Sequence, residues 1–231
     1  MTKFRPCIDL HDGIVKQIVG GTLTDDGAEL ATNFVSERGA GYFAELYARA
    51  GLRGGHVIML GSGDKNKEAA LTALAAFPGG LQIGGGITPE NARSFIDAGA
   101  SHVVVTSSVF CNGALDRARL AAMRDAVGRD KLVLDLSCRR RPRATGDSGP
   151  PEYVVVTDRW QRWTDTIVCA ETLKDLGEYA AEFLVHGVDV EGLRLGVEDA
   201  LVETLGRHSP IPVTYAGGVR DMADLERVRV R

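Results

Sequence analysis

Two rhythms of apolar residues take turns along this chain. Short, nearly continuous apolar runs near 4–10, 55–60, 80–84, 101–106, 131–136, 182–187 and 211–216 read as strands. Between them, "SERGAGYFAELYARAG", "KEAALTALAAF", "PENARSFIDAGA", "ALDRARLAAMRDAVG", "AETLKDLGEYA" and "VEDALVETLGRH" read as amphipathic helices. Their apolar residues recur at three- and four-residue spacing, as Leu115, Leu120, Met123 and Val127 do. Strands alternating with helices at this rhythm predict a parallel sheet with crossover helices. A doubly wound sheet and a (β/α) barrel both fit that pattern.

Two longer stretches interrupt the rhythm and read as loops. "HDGIVKQIVGGTLTDDGAELATNF" follows the first strand, and "SCRRRPRATGDSGPPEYVVVTDRWQRWTDT", with Trp160 and Trp163, follows the fifth. Loops longer than about 12–15 residues inside a compact domain tend to be functional. Both follow the C-terminal end of a strand, where α/β proteins place their ligands.

An internal repeat decides between the architectures. "IDL" at 8–10 returns as "LDL" at 134–136, and "QIGGGI" at 82–87 returns as "TYAGGV" at 214–219. Asp9 to Gly85 is 76 residues and Asp135 to Gly217 is 82. An acidic strand end followed by a glycine strand end, twice in the same order, predicts two copies of a four-unit βα half. The expected fold is therefore a (β/α)8 TIM barrel of half-barrel-duplicated type, one domain over 1–231 with halves of about 1–128 and 129–231. Gly85 and Thr106 are 21 residues apart, and 21 residues past Gly217 lies beyond Arg231. By its own repeat the chain is thus expected to lack the eighth strand, its hydroxyl-bearing loop and the last helix, leaving two strand edges unpaired.

Composition narrows the partners. A net charge of −4 with 44% hydrophobic and 25% charged residues suits a soluble globular domain and argues against nucleic acid or an anionic membrane as partner. The basic cluster at 139–143 lies in a Pro/Gly-rich stretch and reads as a solvated loop, with local anion contact as the alternative. Cys7, Cys111, Cys138 and Cys169 show no CxxC or Cys/His spacing, which suits a reducing compartment and argues against a metal site. No window reaches 18 apolar residues. An apolar strand entered by Phe4 leaves no room for a targeting peptide, so the expected location is cytoplasmic.

The repeated features carry the candidate chemistry. Paired glycines at 85–86 and 217–218 let the chain turn tightly, and they also bare backbone N–H groups before a helix, as a phosphate cradle requires. Thr106 and Ser107 end the fourth strand and supply hydroxyls beside the first pair. Either aspartate alone could cap a helix, but Asp9 and Asp135 in register predict two carboxylates at opposite sides of a barrel mouth. Such a site suits an elongated substrate phosphorylated at both ends. If their environments separate the two pKa values, one carboxylate stays ionised to take a carbon-bound proton and the other is held protonated to give one to oxygen.

"CIDLHDGIVKQIVGGTL", "GGHVIML", "LQIGGGI", "VVVTSSVF", "LVLDLSCR", "FLVHGVDVEGL" and "VTYAGGV" together resemble the phosphoribosylformimino-5-aminoimidazole carboxamide ribotide isomerases of histidine biosynthesis, in their eukaryotic, fungal-type form. The motifs run in order from residue 3 to about 228. The resemblance implies an Amadori rearrangement of an aminoaldose to an aminoketose, without metal or organic cofactor, by a protein that is a monomer when full length. It puts Asp9 on the family's general base and Asp135 on its general acid. Gly85, Gly86, Thr106 and Ser107 fall on one phosphate site, and Gly217 and Gly218 on part of the other. Trp160 falls on the mobile fifth loop and would stack on the aminoimidazole carboxamide, with Trp163 nearby. His56 and His186 are second-tier residues, as fitting for a satisfied core as for a ligand contact. Gly187 stands where bacterial members carry a threonine, so that hydroxyl contact does not carry over. Two competing readings are the related cyclase of imidazole glycerol phosphate synthase, also a bis-phosphate half-barrel protein, and a non-catalytic phosphate-binding barrel.

Overall fold

In the computed structural model of the chain, which describes residues 2–18, 32–61, 63–142 and 149–229, seven parallel strands lie side by side in chain order. They are β1 (Cys7–His11), β2 (Gly55–Met59), β3 (Leu81–Gly84), β4 (Val103–Val105), β5 (Leu132–Asp135), β6 (Glu182–His186) and β7 (Val213–Ala216). The helices are α1 (Ala40–Arg49), α2 (Asp64–Ala76), α3 (Pro89–Asp97), α4 (Arg117–Val127), α5 (Ala170–Leu176), α6 (Asp199–His208) and α7 (Met222–Arg229). A doubly wound sheet would put β1 in the interior with parallel neighbours on both sides. Here β1 has a single parallel neighbour, β2, and β7 pairs only with β6 among the described residues.

The pleat sorts the side chains. Ile8, Leu10, Val57, Leu81, Ile83, Val103, Leu132, Leu134, Phe183 and Val185 face the helices and pack with Leu74, Phe95, Leu120, Met123, Leu173, Leu201 and Leu205 in the main core. The alternate residues face the other way. Val104, Val133 and Leu184 make a small apolar cluster there, Ile58 lies on the same face, and much of the row is polar: Asp9, His56, Gln82, Asp135, Glu182, His186 and Thr214.

That polar row shows how the sheet curls. Arg5, in the segment that leads into β1, ion-pairs with Glu182 of β6. Its Nη1 also donates to Thr214 Oγ1 of β7 at 2.9 Å. Thr214 in turn donates to Glu182 at 2.6 Å, and Gln82 Nε2 of β3 donates to the other Glu182 oxygen at 3.3 Å. Side chains from opposite ends of a seven-strand sheet can meet at one buried carboxylate only if the sheet bends round on itself.

The two stretches expected as loops are β-structure in their described parts. Ile14–Ile18 folds back antiparallel on β1 and pairs with Thr32–Val35. Cys138–Arg140, Tyr153–Thr157 and Arg162–Ile167 form a three-stranded antiparallel ribbon. The β-branched run in "YVVVT" is wholly buried, which only a strand of that ribbon allows. Residues 19–31 and 143–148 of those stretches lie outside the described residues, and so does Arg143 of the basic cluster. The rest of that cluster is paired rather than simply solvated: Arg139 Nε donates to Asp189 at 2.8 Å, the Arg140 backbone N–H to the same carboxylate at 2.9 Å, and Arg141 pairs with Glu152.

Removing one partner of a buried ion pair leaves an uncompensated charge, at a cost of about 3–5 kcal/mol. Arg5→Ala is therefore expected to destabilise the fold by about 3 kcal/mol, measured by urea unfolding at pH 7. Adding Glu182→Gln to that variant is expected to recover part of the loss, since the stranded charge is then gone.

Candidate active site

All seven strands point their C-terminal ends at one mouth, so the last inward residue of each faces a common space. A cavity of about 1720 Å³ opens there, lined by Asp9, His56, Asp135, Trp160 and His186 and by both glycine turns. The two expected carboxylates thus share one cavity, and sequence spacing alone had placed them there.

Their surroundings differ. Asp135 Oδ1 accepts the Ser137 backbone N–H at 2.8 Å and the Ser137 hydroxyl at 2.6 Å. Ser137 Oγ also lies 3.0 Å from His186 Nδ1, which is itself 3.7 Å from Asp135 Oδ1. Burial by itself would raise the Asp135 pKa, but His186 and the two Ser137 hydrogen bonds outweigh it and hold the carboxyl below its ordinary range. Burial likewise works against a charged His186, yet Asp135 foremost, with Glu191 and Asp9, raises the imidazole above its ordinary value.

Asp9 has no such shell among the described residues. Cys7 Sγ lies 3.9 Å from its Oδ2. Burial, reinforced by Glu191 and only partly offset by His186, pushes Asp9 up to about 6. The pKa values of the two carboxyls are therefore separated, as divided labour requires, but the higher value falls on Asp9. On the Asp135 side the shifts run in opposite directions: the carboxyl gives up its proton more readily than a free aspartate, and the imidazole beside it holds one more tightly than a free histidine.

The glycine turns match one another. Gly85 and Gly86 have φ of +90° and +67°, and Gly217 and Gly218 have +112° and +73°. Space forbids a side chain as firmly as conformation does: a Cβ on Gly85 would lie 2.0 Å from the Met59 carbonyl oxygen, and one on Gly218 2.1 Å from that of Gly196. A Cβ on Gly86 would meet nothing within 4 Å, so its backbone borders open space.

Beside the first turn, Thr106 and Ser107 line the cavity as expected. Ser107 Oγ is already engaged, accepting the Asp158 N–H at 3.2 Å. The sequence reading stopped one residue short: Ser108 Oγ, also lining the cavity, is buried without a hydrogen-bond partner. An orphaned buried hydroxyl costs about 1–3 kcal/mol unless something satisfies it, and a bound oxyanion would. Its signal was in plain view in "TSSVF".

Trp160, and not Trp163, belongs to the cavity. Asp158, Arg159 and Trp160 turn in succession at φ of +52°, +59° and +65°, unusual for three residues that are not glycine. That turn brings the Trp160 ring to 5.7 Å from the His186 ring at 44°. Trp163 is exposed instead, with the Arg139 guanidinium over its face at 5.8 Å.

Of the second-tier histidines, neither belongs to the helix-facing core. His56 lies inside the curl of the sheet, 6.2 Å from the His186 ring, with Nδ1 buried and unpartnered. Burial first, then His186, lowers its pKa to about 3, so it is neutral. At Gly187, the Tyr215 hydroxyl fills the room a side chain would need: a Cβ there would come within 2.8 Å of it. Among the described residues no group of three or more His, Cys, Asp or Glu side chains is arranged to hold a metal ion. Nor is any helix among them long and apolar enough to cross a membrane.

Comparison with known proteins bears on the whole chain. The family described as "Histidine biosynthesis protein" matches residues 3–231. The chain is 54% identical over 231 residues to the chloroplastic 1-(5-phosphoribosyl)-5-((5-phosphoribosylamino)methylideneamino) imidazole-4-carboxamide isomerase of Medicago truncatula, covering 98% of this chain and 72% of that one. It is 52% identical to the isomerase of the same name from Neurospora crassa and 42% identical to that from Saccharomyces cerevisiae, covering 99% of this chain and 86% of the relative each time.

The Asp9 environment has a cost in stability that can be measured. Its pKa is about 6 in the folded protein against 3.8 for the free side chain. The folded state therefore holds this proton more tightly, and the stabilisation is complete below pH 3.8 and is lost as pH rises through about 6. Asp9→Asn is expected to be more stable than the parent by about 1–3 kcal/mol at pH 7.5, with the gain vanishing toward pH 4. Denaturant unfolding at both pH values checks this.

Proposed function

The chain belongs to the histidine biosynthesis protein family, and from that premise we propose that it is the isomerase for which its relatives are named. The reaction is an Amadori rearrangement. The aminoaldose half of a substrate with a phosphate at each end opens its furanose ring and becomes an aminoketose. The observation that carries this reading is the pairing of Asp9 with the Asp135–His186 pair across one cavity flanked by two matching glycine turns.

Each part has a task set by its surroundings. The glycine turns offer bare N–H groups to the two phosphates, with Thr106, Ser107 and the unpartnered Ser108 hydroxyl beside the first. Trp160 stacks over the imidazole carboxamide. The Asp135 side protonates the ring oxygen, so that the C–O bond breaks and the amine nitrogen forms a Schiff base. Asp9 then takes the C2 proton, giving an enolamine that becomes the ketone. A base with a pKa of about 6 is ionised at neutral pH and still basic enough to take a proton from carbon. No cofactor is needed, because every step moves a proton between substrate and side chain. The seven strands are, in this reading, part of a (β/α)8 barrel built from two half-barrels, with Asp9 and Asp135 as equivalent strand ends.

Asp9→Asn and Asp135→Asn are each expected to lower kcat by about 10²–10⁴-fold in a ribotide isomerisation assay. Near-parental turnover in either would remove that residue from its role. In the parent protein kcat/KM is expected to fall as pH drops through about 6, where Asp9 takes up a proton. Gly86→Ala, which strains a left-handed turn without a clash, is expected to raise KM with little change in kcat, the signature of a lost ground-state contact.

A further inference from the structure

The acid wall contains more than the aspartate. Resting on the isomerase reading, we propose that His186 is its proton reservoir, feeding Asp135 through the hydroxyl of Ser137. The three side chains form an unbroken line: His186 Nδ1 to Ser137 Oγ is 3.0 Å, and Ser137 Oγ to Asp135 Oδ1 is 2.6 Å. The direct separation of Nδ1 and Oδ1, 3.7 Å, is too long for a hydrogen bond. Ser137 is fully buried, so no solvent proton competes at the middle of the line.

The fold fixes this line. Strands β5 and β6 are paired with Leu184 opposite Asp135, and the parallel pairing continues beyond both strand ends in the Cys138–Gly187 bridge. That register sets His186 beside Ser137. Both side chains point into the curl, as Asp135 does two residues earlier on its own strand.

The chemistry calls for such a reservoir. A general acid has to hold a proton before substrate arrives, whereas the shell around Asp135 is built for the carboxylate: it accepts two hydrogen bonds on one oxygen. Among the described residues, the imidazole is the titratable group in line with the Ser137 hydroxyl, placed to carry the missing proton. The charged groups around it favour this, with Asp135 on β5, Asp9 on β1 and Glu191 beyond β6 all acidic, and His56 on β2 neutral. When substrate displaces water, the separated imidazolium and carboxylate lose solvation, and the neutral pair becomes the better arrangement.

The proton then moves from Nδ1 to the Ser137 oxygen while the Ser137 proton passes to Asp135. Asp135 hands it to the ring oxygen as the C–O bond breaks and the nitrogen lone pair forms the C=N bond. After Asp9 has taken the C2 proton, that proton goes back to C1 as the enolamine collapses. The C2 hydroxyl proton returns along the Asp135–Ser137 line to His186. Proton count and charge close, and no external acid is consumed.

The test uses the intact chain and two variants. Ser137→Ala cuts the line, removing one of the two hydrogen bonds on Asp135 while leaving the residues at both ends and the Ser137 backbone donor in place, and is expected to lower kcat at least tenfold with KM nearly unchanged. His186→Asn keeps a hydrogen-bond donor but cannot hold the proton. It is expected to lower kcat at least a hundredfold and to abolish the alkaline fall of the kcat–pH profile, which a merely structural histidine would leave in place. Turnover by the parent protein together with near-parental kcat and an intact alkaline limb in both variants overturns the relay and leaves the isomerase reading standing. Lack of ribotide turnover in the parent overturns that reading instead. Nitrogen-15 NMR of His186 judges the reservoir without any assay: an imidazolium at pH 7 that loses its charge in Asp135→Asn supports it, and a neutral His186 in the parent overturns it.

Discussion

A parallel strand walled by helices on one face must be apolar on that face, and the pleat then turns every second residue to the other. The rest of this protein follows from that constraint. Ile8 and Leu10 are committed to the helix-facing core, which leaves Asp9 directed inward; Leu134 and Leu136 do the same for Asp135. Because the sheet curls, the inward rows of all seven strands converge. Carboxylates that are 126 positions apart in the chain become two walls of one cavity.

The same three-residue phrase then acquires two chemistries. Asp135 is followed two positions later by a serine and lies beside a strand that ends in histidine, so it finds two donors and an imidazole. Asp9 has a cysteine two positions before it and lies beside a strand that offers Ile58, so burial outweighs the opposing pull of His186. The sequence repeat supplies equivalent positions, and the divergent neighbours shift their pKa values in opposite directions.

The glycine turns differ less: both pairs keep the same conformation, and the first glycine of each keeps the same kind of neighbour, whereas Gly86 faces open space and Gly218 the Gly196 carbonyl. Both pairs take up left-handed φ, and in each a backbone carbonyl lies where a side chain would begin. A turn this tight leaves N–H groups uncovered at the mouth, which is the feature an anionic substrate can use. The ribbon after β5 adds what the barrel repeat lacks. Its turn at 158–160 is tied to Ser107 at the first glycine site through Asp158 and reaches His186 through Trp160.

Sequence by itself determined much of this: the order of strands and helices, the parallel sheet, the two aspartates and both glycine turns. Each follows from local periodicity or from the repeat, and both survive in one dimension. Three things were settled only by tertiary structure. The described parts of the stretches read as loops form antiparallel strands, because such a strand is defined by its partner. Trp160 rather than Trp163 faces the cavity, because three successive left-handed residues aim it there. The opposed pKa shifts of Asp135 and His186 arise there too, because a pKa depends on what lies a few ångströms away, and the partner is on the next strand, 51 positions along the chain.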